Sequence, residues 1–75
     1  MATFTFLPHQ QRVIDERKEV AVKAVALGEF FKTDIYKSLG VDEQRRLRRQ
    51  IGIMDLYVGV LDERIEAFGG PKFTG

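Results

Sequence analysis

The sequence predicts an all-α protein: one antiparallel two-helix hairpin with a short N-terminal arm, a single domain over residues 1–75 that assembles into a helical homo-oligomer. Two apolar seams of helical period predict the hairpin. A second apolar stripe on each helix predicts the assembly. The clearest seam runs Leu47, Ile51, Met54, Val58, Leu61, Ile65 and Phe68, with spacings that alternate 4 and 3 without a break. Apolar side chains at that spacing share one face of a helix and want a partner along its whole length.

Taken in chain order, residues 2–7, ATFTFL, alternate like a short strand or arm. Leu7-Pro8 then opens helix one, because proline's fixed φ suits the first turn and its missing N–H costs nothing there. Val13, Val20, Ala24, Leu27 and Phe31 keep the heptad positions, with Arg17 at the one polar site, so helix one is expected at about 8–32. The segment TDIYKSLGV, residues 33–41, is too short for a third long helix and long enough to reverse the chain, with Ile35, Tyr36 and Leu39 available to plug the end. Asp42 is a candidate N-cap and Glu43 lies near the positive end of the next helix dipole. Helix two is expected at about 42–68, roughly 40 Å long at ~1.5 Å per residue, stopped by Gly69-Gly70-Pro71. Lys72 to Gly75 reads as a frayed tail.

A hairpin covers one stripe of each helix, and this chain has more apolar surface than that. Ile53, Tyr57, Val60 and Ala67 form a second stripe on helix two, and Ile14, Ala21, Val25 and Gly28 one on helix one. Gly52 and Gly59 each cost about 1 kcal/mol against alanine inside a helix, and they allow a backbone or a flat ligand to come close. Self-association into a symmetric homo-oligomer answers both features.

Composition narrows the function. Twelve Lys and Arg against eleven Asp and Glu leave a formal net charge of +1, which argues against a general binder of long nucleic acids. Without cysteine there is no disulfide or thiolate metal site. One histidine, His9, and one serine, Ser38, make no nucleophile-base-orienter set. The carboxylates Asp62, Glu63 and Glu66 read as a solvated face with i,i+4 partners. No catalytic group, metal site or cofactor is expected. No apolar run is long enough to span a membrane, and MATFTFLPHQ lacks the basic start of a signal peptide, so a cytosolic protein is the expectation.

What remains is a set of binding groups. RRLRRQ, residues 45–50, crowds four arginines into little more than one turn. Guanidinium forks hold phosphates well, and pairing with Glu29, Asp34, Asp42 and Glu43 is the competing reading. At the opposite end of an antiparallel hairpin, His9, Gln10 and Arg12 should lie near Arg64, with Tyr57 a little further in. An aromatic face with nearby arginines suits a nucleobase and its phosphate, while interface packing and helix-start polarity are the alternatives for Tyr57 and His9.

The strings LPHQQRVIDER and FFKTDIYKSLGVDEQ, followed by the spaced set Leu47, Gln50, Met54, Tyr57, Leu61, Arg64 and Ile65, resemble small phage proteins built from one helical-hairpin domain. That family includes sponges that counter cyclic-nucleotide signalling in bacterial CBASS and Thoeris immunity. The resemblance covers about residues 8–68. It implies a compact helical oligomer, commonly a hexamer, that works in the host bacterial cytoplasm. There it would hold cyclic dinucleotides, cyclic trinucleotides or cyclic ADP-ribose isomers between protomers without degrading them. The expected ligand contacts are His9, Arg12, Tyr57 and Arg64, with Lys23 and Arg48 as secondary phosphate contacts. The alternatives are an oligomeric phage protein that blocks a host protein through the RRLRR cluster, and a small nucleic-acid binder.

Overall fold

The computed structural model describes residues 6–71, and among them every regular element is helical. Helix α1 spans Pro8–Phe30, a short α2 spans Asp34–Ser38, and α3 spans Val41–Ala67. Val13 and Ile14 near the start of α1 pack against Leu61 and Ile65 near the end of α3. At the other end of the pair, Ile51 lies against Gly28, so the two long helices run antiparallel. Of the arm, residues 2–5 lie outside the described segment, as does the tail from residue 72.

Each helix end has a local cause. Pro8 occupies the first turn of α1, and the Gln10 Oε1 accepts the Leu7 N–H at 3.0 Å, satisfying a donor that the helix leaves open. Helix α1 ends at Phe30, two residues before the expected end at about 32, because Thr33 starts a new helix. The Thr33 Oγ1 accepts the Tyr36 N–H at 3.2 Å and its hydroxyl donates to the Phe30 carbonyl at 2.7 Å. The cap of α3 is Gly40 rather than Asp42, which lies inside the first turn beside Glu43, where both carboxylates face the positive end of the dipole. The C-terminal stop is as expected: Gly69 takes φ 80°, and the Gly69 and Gly70 N–H groups donate back to the Glu66 and Ile65 carbonyls at 3.1 and 2.9 Å. This is the Schellman arrangement, which needs a left-handed residue and therefore favours glycine.

The core is small and lies at one end. Leu61 and Ile65 are fully buried, with Phe6, Val20 and Phe68 packed around them and the Phe6 and Phe68 rings meeting edge to face at 5.7 Å. Ile14 belongs to this core and not to an outer stripe, because it adjoins Val13 on the side turned toward α3. Gly28 likewise faces inward: a Cβ there would sit 3.6 Å from the Ile51 side chain. In the connection Tyr36 alone is buried, against Phe30 and Phe31, while Ile35 is exposed.

The part-buried Arg17 fills its polar seam position by donating from Nε to Asp62 Oδ1 at 2.7 Å. Asp62 thus crosses the hairpin instead of joining a solvated carboxylate face. A charge-assisted bond that is partly shielded from water is worth more than an exposed pair. Removing Leu61 side-chain bulk should be far costlier than removing surface charge. Leu61→Ala is expected to lose about 2–5 kcal/mol in denaturant unfolding, whereas Lys18→Ala stays within about 0.5 kcal/mol of the parent.

Candidate functional site

Two regions combine polar side chains with access. The first is an open groove of about 460 Å³ along one side of the hairpin, lined by Arg17, Val25, Asp55, Val58, Gly59 and Asp62 among others. Its floor is apolar, and its polar groups are the Arg17–Asp62 pair and the Asp55 carboxylate. Carboxylates accept hydrogen bonds, so this groove matches ribose hydroxyls or exocyclic amines better than phosphates. The glycine at 59 keeps its rim low, since a Cβ there would meet nothing within 4 Å.

None of the six residues expected from sequence to contact ligand lines that groove. His9 and Arg12, exposed on the first turns of α1, and Arg64, exposed near the end of α3, share one end of the hairpin. The Arg12 Nε donates back to the Pro8 carbonyl at 3.4 Å, within the exposed first turns of α1. Lys23 and the half-exposed Tyr57 sit near mid-length on their helices. By helical phase, Arg12, Lys23, Tyr57 and Arg64 fall on the flank away from the groove. Tyr57 and Arg64 are seven residues apart on α3, about 10 Å at ~1.5 Å per residue, within the reach of one nucleotide.

Arg48 stands at the far end of the hairpin. Its Nε donates to the Tyr36 Oη at 2.9 Å, and the Gln44 Nε2 donates to the Tyr36 carbonyl at 3.0 Å. These bonds, with the contacts to Phe30 and Phe31, fix the connection onto the start of α3. In the same cluster Arg46 pairs with Glu43 at 2.7 Å, which realises part of the competing charge-pair reading of RRLRR, and Glu29 pairs with Lys32 at 3.2 Å.

Sequence reasoning missed the groove with Asp55 and Asp62. The available signal was Arg17, a charge at a seam position, which calls for a partner across the hairpin. Among the described residues no group of three His, Cys, Asp or Glu is placed to hold a metal ion, and no helix is long and apolar enough to cross a membrane.

A slender helical hairpin with a one-ended core thus presents an open groove on one side and, on the other, a flank that carries Tyr57, Arg12 and Arg64. The chain belongs to the Sequestin family: the family's sequence model matches residues 7–67, from the cap of α1 through the last residue of α3. Sequestering is what the family's name describes. No curated protein and no solved structure matches the chain.

The role of Arg48 in the fold can be separated from any role toward ligand. Tyr36→Phe removes the phenolic oxygen that accepts the Arg48 N–H and should cost about 0.5–1.5 kcal/mol in thermal or denaturant unfolding. An unchanged midpoint would remove the Arg48–Tyr36 bond from the account of the fold.

Proposed function

We propose that this protein is a phage sponge that binds cyclic nucleotide immune signals of an infected bacterium and holds them uncleaved between protomers of a homo-oligomer. Family membership over residues 7–67 carries the reading. The resemblance to cyclic-nucleotide sponges supplies the ligand classes: cyclic dinucleotides, cyclic trinucleotides and cyclic ADP-ribose isomers.

The physical requirements of such ligands agree with the residues available. A flat base needs an aromatic face, which Tyr57 offers, and two or more phosphates need guanidinium or ammonium donors. Arg12 and Arg64, with His9, occupy one end, Lys23 stands near mid-length, and Arg48 lies at the other end. One chain spreads these groups along its length. A second chain packed alongside would bring its own set near the first, so the pocket is completed by assembly, with a hexamer as the expected form. Sequestration needs no bond cleavage, only sites in excess of signal and tighter than the effector's, in the host cytoplasm where the signal is made.

Titration calorimetry against a panel of cyclic di- and trinucleotides and cyclic ADP-ribose isomers tests the reading. Tight binding with fewer than one ligand per chain is expected. Tyr57→Ala should weaken it by about 1–3 kcal/mol per stacked base while sedimentation shows the oligomer intact. Absence of binding across the panel would overturn the reading and favour a host protein as partner. Affinity that falls as steeply with salt as a many-phosphate contact requires would favour nucleic acid instead.

A further inference from the structure

Opposite the seam that packs on α1, helix α3 carries a second heptad seam: Arg49, Ile53, Leu56, Val60, Glu63 and Ala67, again at spacings of 4 and 3. Its central residues are exposed, Leu56 by 73%, Ile53 by 59% and Val60 by 53%. Between residues 50 and 61 the one charged residue is Asp55, which lies on the groove side. Gly52 and Gly59 flank this seam, and a Cβ at either would meet nothing within 4 Å. Among the described residues, then, two helix-weakening glycines and a three-turn apolar face have no counterpart.

We propose that this face is where two copies of the chain meet, with their α3 helices antiparallel about a twofold axis at Leu56. The proposal rests on the homo-oligomer of the proposed function and names its surface and register. Residues equally far from Leu56 on either side then face one another. Ile53 lies against Gly59 of the partner subunit, and Val60 against Gly52 of the partner subunit, so each branched side chain fills the space where a Cβ is missing. Arg49 meets Glu63 of the partner subunit, and by symmetry the reverse, giving two opposite-charge pairs at the ends of an apolar strip. A parallel pairing would set arginine against arginine and glutamate against glutamate. Such flanking charges choose orientation and partner more than they add strength.

Surface area agrees with this occupant. The chain exposes 5837 Å², about 1,100 Å² more than the ~4,700 Å² of a compact protein of its mass. A standard interface removes about 800 Å² from each partner. Gly59 also lines the groove, so Ile53 of the partner subunit would stand on its rim. The partner thereby completes a wall of the cavity beside Asp55 and Asp62. Larger even-numbered assemblies, a hexamer among them, follow by joining such pairs through other surfaces.

Charge reversal tests the register. Arg49 and Glu63 are fourteen residues apart on one helix, about 21 Å at ~1.5 Å per residue, so they cannot pair within a chain. In sedimentation equilibrium on the full chain, Arg49→Glu and Glu63→Arg should each weaken association roughly tenfold. The double variant should recover most of that loss, all three retaining wild-type helicity by circular dichroism. A wild-type monomer, single variants that associate normally, or a double variant that stays dissociated would overturn the proposal.

Because the chain has no cysteine, Leu56→Cys gives an independent check: a thiol on the axis should form a disulfide-linked dimer under mild oxidation far faster than Lys18→Cys. Equal rates would contradict the twofold at Leu56. Nucleotide-binding oligomers whose association is unchanged in Arg49→Glu and Glu63→Arg would remove this interface and leave the sponge. Antiparallel dimers that bind none of the panel would uphold the interface and contradict the sponge.

Discussion

Two helices can bury only one stripe each, and the pairing of Val13 and Ile14 with Leu61 and Ile65 is the buried cluster around which this hairpin closes. The rest of the structure follows from where that contact lies. Leu61 and Ile65 are near the end of α3, so Phe6 and Phe68 close over the open end while further along the hairpin α1 offers the small Ala24 and, toward the connection, Gly28. Thin packing there leaves room for the groove beside Arg17 and Asp62. It also leaves the back of α3 apolar and uncovered. A domain of this size hides a smaller fraction of its surface than a larger one does, and three of the exposed apolar side chains, Ile53, Leu56 and Val60, line up along one face of α3.

The ends of the hairpin are held by polar bonds of different kinds. At the connection, Thr33 caps a helix of five residues and Tyr36 anchors it through Phe30, Phe31 and Arg48. At the other end, glycine geometry stops α3 so that Phe68 can turn back onto Phe6. Arg17 and Asp62 tie the helices between these points. At the connection Arg48 serves the fold by bonding Tyr36 across elements, whereas near His9 the Arg12 Nε bonds the Pro8 carbonyl within its own helix.

The long helices were legible in the sequence because a 4-3 repeat and a Gly-Gly-Pro stop are local signals. Helix phase was harder. Ile14 and Gly28 read as outer-stripe residues because a 3.6-residue helix drifts against a heptad, and small rotations decide which side of Val13 or Ala24 meets α3. Gly40 rather than Asp42 caps α3 because Gly40 itself is still extended, at φ −62° and ψ 154°, and the helix begins at Val41. The candidate site was less legible still. Arg12, Tyr57 and Arg64 could be read as residue types, while the Asp55 and Asp62 groove arises from a cross-helix ion pair that no local pattern encodes.

If the protein is the sponge proposed, a cyclic nucleotide is held and not consumed. The most direct measurement loads the oligomer with the tightest ligand of the panel, removes free ligand, denatures the protein by heat and analyses the released molecule by chromatography and mass. Full recovery of intact cyclic nucleotide, at fewer than one per chain, is the result predicted. Recovery of a linear or hydrolysed product, or of no ligand at all, would contradict it.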